Sequence, residues 1–328
     1  MAKLPAKNKN FVRLFFVLLA AFSNGGPLFA QDKYPARAIE FIVPFGPGGG
    51  ADQLARKSGK LLENILKVPI PVINVPGATG GTGITKLLIA PADGYSMAVY
   101  IADTQALLVT SDPNWSIIRS LDDITPVARM VSAPSFLFVK QDSRFKNWAD
   151  FEKEAKARAG GLRVATVGLG SVDDMTLAYL GSKGIHVTQV PYPKPNERYV
   201  SVLGGHVDAL YEQAGDVATF LQNKQIRPIV VFGNKRFPAF KDVPNSKELG
   251  YDIGLPQFRT VVVKAGTDPK IIRTLSDTFK KVAATNEYKT FLKDQYAGED
   301  SFLDADQTKL FLKQELETMK KLGAEKKK

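Results

Sequence analysis

The sequence predicts an α/β protein in which two lobes are joined by a two-strand hinge, with mixed, mostly parallel sheets flanked by helices. Short apolar β-type runs alternate with helical patterns, which favours parallel strands connected by crossover helices. The β-type stretch at residues 127–140 is longer than a typical strand and contains Pro134, so we expect it to cross between lobes. With 328 residues and 44% hydrophobic content, the chain is long enough for about two domains.

The first lobe is predicted to begin with two successive units of strand, glycine-rich loop and helix. Apolar residues recur at helical spacing after each glycine loop. The predicted elements are a strand at 38–45, a glycine loop at 46–50, a helix at 54–65, a strand at 69–74, a glycine loop at 77–83, a helix at 84–90 and a strand at 96–101.

The second lobe is predicted to continue the alternation of strands and helices. Its strands lie at 162–167, 187–191, 207–211 and 226–232. Its helices lie at 147–159, from the end of a loop at 168–171 up to 183, at 198–203, and up to 223. A strand at 255–263 then returns to the first lobe, and two amphipathic helices, around 271–282 and 310–319, complete it. The predicted lobes are therefore residues 31–134 with 256–328, and residues 135–255.

Residues 1–30 have the pattern of a signal peptide. Four basic residues, from Lys3 to Arg13, precede an apolar run at 14–22, and Ala30 offers a small residue for cleavage. The apolar run is about half of the roughly 20 residues that span a bilayer, which argues against a membrane anchor. The chain has no cysteine, so it forms no disulfide and carries no lipid-modified N-terminal cysteine. We expect cleavage near Ala30 and a periplasmic location.

The charge distribution indicates no nucleic-acid partner. Removing the four basic residues of the leader lowers the net charge from +11 to +7. Several remaining lysines lie at 320–321 and 326–328, where a basic run is typical of a solvated helix end. No metal or cofactor is predicted, because the paired acidic residues suit helix starts: Asp173 with Asp174, and Asp304 with Asp306.

The two early glycine loops are the best candidates for a binding site. In an open α/β sheet the ligand lies at the carboxyl ends of the strands, where the following helices point free backbone N–H groups into the crevice. An anion can be held there without an arginine, and glycine allows a close approach. Asp52 is expected to be the N-cap of the first helix. Either loop alone is more typical of a tight turn.

Two enzymatic alternatives fit the residues less well. Gly46, Gly48 and Ala51 match the dinucleotide pattern G-x-G-x-x-A, but Asn74 stands where an acidic ribose ligand is expected. No Lys-Ser or Lys-Thr follows either loop, as a P-loop requires. A hydrolase would need a G-x-S-x-G elbow, which is absent, although a triad can be drawn from Ser171, His206 and Asp208.

Nine short segments carry a family resemblance through their order and spacing. They are residues 34–39, 43–52 (VPFGPGGGAD), 77–81 (GATGG), 93–95 (DGY), 168–171 (GLGS), 190–192 (VPY), 204–208 (GGHVD), 242–244 (DVP) and 248–250 (ELG). Together they resemble the substrate-binding receptors of tripartite tricarboxylate transporters, the Bug family, across essentially the whole mature chain.

The resemblance implies a periplasmic-binding-protein fold of the second type, which holds its ligand between two lobes and delivers it to a membrane permease. In that family, backbone N–H groups and ordered water of the two first-lobe glycine loops hold the ligand carboxylate. The positions that correspond here are Phe45, Gly48, Gly49 and Asp52 in the first loop, Ala78, Gly80 and Gly81 in the second, and Gly170 and Ser171 in the second lobe. Three further candidates lie near predicted strand ends and could set specificity: Thr104, Tyr192 and Gln213.

We therefore expect a monomeric receptor, not an enzyme, that captures a small organic acid for a permease of the tripartite tricarboxylate type. A sensor that docks on a signalling protein and an enzyme that acts on an acid in the same cleft are the alternatives. The sequence departs from the family pattern at 81–84, 193–195 and Asn245, which leaves the acid open. This interpretation requires both glycine loops to face an interlobe gap that the protein's own side chains do not fill.

Overall fold

The computed structural model describes residues 34–111 and 119–325, and the features below belong to the unit that starts at residue 37. The strands of this part of the chain are β1 (Glu40–Val43), β2 (Val72–Asn74), β3 (Ser96–Ile101), β4 (Ile124–Ala133), β5 (Ser135–Lys140), β6 (Arg163–Thr166), β7 (Thr188–Pro191), β8 (Ala209–Gln213), β9 (Ile226–Phe232) and β10 (Gln257–Lys264).

The described strands form two five-stranded sheets, which confirms the two-lobed α/β fold. The first sheet has the order β2-β1-β3-β10-β4, and the second has the order β7-β6-β8-β5-β9. In the first, β1 pairs in parallel with β2 and β3, while β10 pairs antiparallel with β3 and β4. In the second, β6 pairs in parallel with β7 and β8, while β5 pairs antiparallel with β8 and β9. Both sheets are mixed because the strands next to the crossings, β5 and β10, run against their neighbours.

The chain passes between the sheets at two places. β4 ends at Ala133 and β5 begins at Ser135 in the other sheet, so the first crossing is at Pro134. Proline has no N–H for a strand ladder and suits such a break. The second crossing lies before β10, in the connection from β9. These two connections form the predicted hinge.

The helices flank the sheets. They are α1 (Gly50–Leu66), α2 (Gly81–Ile89), α3 (Ala102–Thr110), α4 (Trp148–Ala157), α5 (Val172–Ser182), α6 (Pro195–Leu203), α7 (Ala218–Gln222), α8 (Pro269–Ala284), α9 (Asn286–Asp294) and α10 (Ala305–Glu325). α8 packs on α1 and β4, and α10 packs on β4 and α3, so the C-terminal helices cover the first sheet. Phe41 of β1 meets Phe279 of α8 edge to face, with ring centroids 6.4 Å apart.

Two helices, α3 and α9, are not predicted from the sequence, and one strand is displaced. Residues 102–106 of α3 are all buried, so this helix lacks the amphipathic pattern that marks a surface helix. α9 starts directly after α8, and Thr285 caps it by accepting a hydrogen bond from the Tyr288 N–H. The strand predicted at 207–211 lies at 209–213, which places Gln213 in the sheet.

Within residues 34–111 and 119–325, no helix combines the length and the apolar character needed to cross a bilayer. The predicted signal peptide at 1–30 and the basic residues at 326–328 lie outside the described residues.

Candidate functional site

A cavity between the two sheets brings together the loops that follow their parallel strands. It is lined by residues after β1 and β3 and by β10 on one side, and by residues after β6 and at the end of β8 on the other. Three of the predicted residues line it: Phe45, Gly49 and Gln213. Its volume of about 40 Å³ is enough for a few waters at about 10–15 Å³ each, and too small for an organic acid.

The first glycine loop leads from β1 into α1. Gly48 has φ 87°, and Gly49 is the N-cap of α1, which corrects the prediction that Asp52 occupies this position. Asp52 lies in the first turn instead, where its carboxylate accepts hydrogen bonds from the Gly48 N–H, Asn74 Nδ2 and Arg56 Nε, each at 3.0 Å. Burial raises the pKa of Asp52, but these hydrogen bonds outweigh it and hold that pKa below its ordinary value. Asp52 therefore fixes the shape of the loop.

The second glycine loop packs against Phe45 and does not line the cavity. Ala78 and Gly80 have positive φ, at 48° and 91°, and Gly81 begins α2. A Cβ at Gly80 would lie 3.0 Å from the Phe45 ring and would overlap the Thr104 hydroxyl, so this close approach requires glycine. Thr104 is buried, and its hydroxyl donates to the carbonyl of Thr79 in the second glycine loop at 3.3 Å.

The second-lobe loop with Gly170 and Ser171 meets the first lobe at α3 and does not line the cavity. Ser171 is the N-cap of α5: its hydroxyl donates to the Gly168 carbonyl at 2.7 Å and accepts the Asp174 N–H at 3.3 Å. The Gly170 carbonyl accepts a hydrogen bond from the Thr110 hydroxyl of α3 at 2.9 Å. The Ser171 hydroxyl thus serves the local backbone in this form of the protein.

The remaining two specificity candidates have different surroundings. Gln213 is buried, lines the cavity and donates from Nε2 to the Ser135 hydroxyl at 3.2 Å. Tyr192 packs against the second-lobe core outside the cavity lining, and its carbonyl accepts a hydrogen bond from Arg198 Nη1 at 3.0 Å. The structure therefore brings Gln213 to the cavity and leaves Tyr192 beside it.

Five buried charged residues that sequence reasoning missed dominate the cavity. Arg198 Nη2 lies 2.6 Å from Glu212 Oε2, and Arg259 Nη2 lies 2.6 Å from Asp216 Oδ1. Asp103 forms no ion pair with an arginine or lysine among the described residues, and it accepts hydrogen bonds from neutral groups. A sequence signal exists for three of them: Glu212 and Arg259 interrupt apolar strands, and Asp103 lies two residues after the end of the apolar strand β3.

Asp103 links the two lobes. Its carboxylate accepts the Val172 N–H, at the start of α5, at 3.1 Å and Gln257 Nε2 at 2.7 Å. Burial raises the pKa of Asp103 to about 6, although both hydrogen bonds oppose that change. Burial also raises the pKa of the neighbouring Asp173, and the Asp103 charge adds to that effect.

Both helix N-termini at this contact therefore receive a carboxylate of the protein itself. The Gly50 N–H at the start of α1 donates to Asp216 Oδ2 at 3.2 Å, as the Val172 N–H donates to Asp103. Both glycine loops contact the second lobe, but only the first lines the cavity. The protein's own side chains fill most of the space, so the open gap that the sequence interpretation requires at both loops is not present in this structure.

The raised pKa of Asp103 predicts how stability depends on pH. Because the folded-state pKa exceeds the ordinary value of 3.8, the ionised carboxylate disfavours the folded state. That penalty is fully present above about pH 6 and is relieved as the pH falls towards 4. We expect the free energy of unfolding to rise between pH 7 and pH 5 by up to about 1.4 kcal/mol from this group, and Asp103→Asn (D103N) to have a shallower dependence.

Urea denaturation of the wild type and D103N at pH 5, 6 and 7 measures the change in the free energy of unfolding with pH, which is the slope to be compared. Asp173 titrates in the same direction, so part of the slope remains in the variant. Glu212 and Arg198 act on Asp103 with opposite signs, and both are retained in D103N. A slope in D103N equal to that of the wild type would contradict the assignment.

Comparisons with known proteins identify the family of the chain. The sequence profile described as "Tripartite tricarboxylate transporter family receptor" matches residues 54–327. A Cupriavidus necator protein, "UPF0065 protein in gbd 5'region", is 30% identical over 298 residues, which cover 89% of each chain. BugT of Bordetella pertussis is 30% identical over 273 residues, 81% of this chain and 83% of BugT.

Solved structures share the fold at lower identity. MatC from Rhodopseudomonas palustris, with bound malate, has a TM-score of 0.80 at 23% identity and covers 88% of this chain and 100% of MatC. The periplasmic binding protein BugD has a TM-score of 0.79 at 22% identity and covers 89% of this chain and 98% of BugD. From the profile match and the 30% identical relatives, the chain belongs to the family of tripartite tricarboxylate transporter receptors, the Bug family that its sequence segments resemble.

Proposed function

We propose that this protein is a periplasmic receptor that captures a small organic acid between its lobes and delivers it to a membrane permease of the tripartite tricarboxylate type. The observation that carries the proposal is the meeting of helix N-termini from both lobes, with buried guanidinium groups, at one interlobe cavity. Partial positive charge at helix N-termini favours anions. The malate bound to MatC and the adipate bound to another Rhodopseudomonas palustris protein of this fold indicate small dicarboxylates as first candidates.

Binding requires the lobes to separate, because the closed cavity of about 40 Å³ is too small for such an acid. We take Pro134 and the segment around Leu255 as the hinge, so that residues 135–255 move relative to the rest of the mature chain. Four or five hydrogen bonds to a charged group, each contributing about 1.5–3 kcal/mol before opposing terms, suffice for micromolar affinity. In this proposal the receptor is a monomer, is exported by cleavage near Ala30, and leaves its ligand chemically unchanged.

A thermal-shift screen of the exported protein tests the proposal. We expect malate, adipate or a related acid to raise the midpoint of thermal unfolding, and the corresponding amide to have a much smaller effect, because the amide lacks the negative charge. Acid recovered unchanged after incubation would separate a receptor from an enzyme. Equal stabilisation by acids and amides, or by neither, would contradict an anion receptor.

A further inference from the structure

One buried ion pair joins the two lobes at the cavity. Arg259 belongs to β10 of the first sheet, and Asp216 lies after β8 of the second. Arg259 Nη2 lies 2.6 and 2.7 Å from the two carboxylate oxygens of Asp216. The two side chains are only 3% and 6% exposed. The pair exists only while the lobes are together, because its members come from different sheets.

The surroundings of the Asp216 carboxylate match those of a bound anion. Besides the guanidinium, it accepts the Gly50 N–H, which is the first amide of the 17-residue helix α1. A guanidinium and a free amide at a helix N-terminus are two strong carboxylate-binding groups in proteins. Asp216 reaches both from the opposite lobe. The first lobe thus presents a complete carboxylate position, which a residue of the second lobe occupies.

The pair is not a strongly favourable one. Burial raises the pKa of Asp216, although Arg259 opposes that change. A buried pair of this kind recovers in Coulomb attraction only part of what it loses by leaving water. When the lobes separate, Asp216 moves away with the second lobe, and Arg259 with the Gly50 N–H remains on the first.

Building on the proposed function, we infer that Arg259 and the Gly50 N–H bind the carboxylate of the incoming acid, and that Asp216 is an internal competitor that holds the same position in the closed, unliganded form. Arg259 is then a specificity-determining residue for negatively charged ligands. Asp216 lowers the affinity for them, because each binding event must prevent or replace the internal pair. The acid takes a place on the first lobe that the second lobe otherwise fills.

Three variants separate this role from a purely structural one: Asp216→Ala (D216A), Arg259→Met (R259M) and the double variant. Acetate, malate and adipate are the probes, with acetamide as the neutral control. We expect D216A to bind malate or adipate about tenfold more tightly than the wild type, a change of about 1.4 kcal/mol. R259M and the double variant should bind about tenfold more weakly or worse. Acetate, but not acetamide, should raise the thermal midpoint of D216A by filling the vacated carboxylate position.

D216A and R259M break the same ion pair but are expected to change the affinity in opposite directions. This difference separates a binding role of Arg259 from a structural role of the pair. A merely structural pair would make both variants weaker binders. R259M leaves the Asp216 carboxylate buried without its partner and could fold poorly for that reason. The double variant removes both charges, so comparing it with D216A still measures the effect of Arg259 on binding. Wild-type binding without any gain in D216A would overturn this inference and leave the receptor function intact. No response of any protein to malate, adipate or acetate would overturn both.

Discussion

Replacing Arg198 with methionine (R198M) is expected to lower the free energy of unfolding by about 3–5 kcal/mol. The Arg198 guanidinium donates to Glu212 Oε2 from Nε at 3.1 Å and from Nη2 at 2.6 Å. It also donates from Nη1 to the Tyr192 carbonyl at 3.0 Å. Burial lowers the pKa of Arg198, but Glu212 together with Tyr199 and Asp173 outweighs that effect and raises this pKa above its ordinary value. Without the guanidinium, Glu212 stays buried as an unpaired charge.

The matched control is the double variant R198M/E212L, which removes both charges. It should recover most of the lost stability, because hydrophobic side chains of similar volume often replace a buried ion pair without loss. Urea denaturation followed by circular dichroism measures all three proteins. A loss below about 1 kcal/mol in R198M, as is typical of an exposed pair, would show that Glu212 is less dependent on Arg198 than its burial indicates.

The fold could be predicted because its signals are local. β3 at Ser96–Ile101 and β9 at Ile226–Phe232 lie where continuous apolar runs predict them. Pro134 marks the first crossing because proline interrupts a β-type run that is too long for one strand. Such features depend on residues that are neighbours in sequence, so a single chain displays them.

The charged centre of the site could not be predicted in the same way, because its contacts are remote in sequence. Gly50 and Asp216, which share a hydrogen bond, are 166 positions apart, and Asp103 and Val172 are 69 apart. Each of these contacts joins one lobe to the other. The sequence shows that Arg259 interrupts an apolar strand, but not which carboxylate it meets.

The glycine loops illustrate both situations. The sequence places them correctly after β1 and β2, and their positive φ values at Gly48 and Gly80 explain the residue type. It does not reveal that only the first loop reaches the cavity, while the second packs on Phe45 and Thr104. The second loop also contacts α3, a helix whose buried sequence carries no amphipathic signal.

Closure of the lobes leads to a second large expected effect, at Gly215. This residue follows β8 in the second lobe, and its Cα lies against the backbone of Gln295, after α9 in the first lobe. A Cβ at Gly215 would lie 2.6 Å from both Cα and the carbonyl carbon of Gln295, and closer still to its oxygen. Gln295 has little freedom to move, because its Nε2 donates to Gln53 Oε1 of α1 at 2.8 Å.

Gly215→Ala (G215A) should therefore prevent full closure. The φ of Gly215 is not in the positive region, so alanine fits the local backbone and each lobe should fold normally. We expect at least about tenfold weaker binding of the acid that the wild type binds best, since ligand contacts from the second lobe are lost. Small-angle scattering of the unliganded variant should give a larger radius of gyration than the wild type.

Gly233→Ala (G233A) is the matched control for this test. It adds the same methyl group in the second lobe, at a position without positive φ where a Cβ meets nothing within 4 Å. It should bind as the wild type does and scatter as the wild type does. If G215A binds as tightly as G233A, the approach of Gly215 to Gln295 is not needed for ligand capture. The bound form would then keep Gly215 away from Gln295, because a backbone overlap of this kind has no side chain that can move aside.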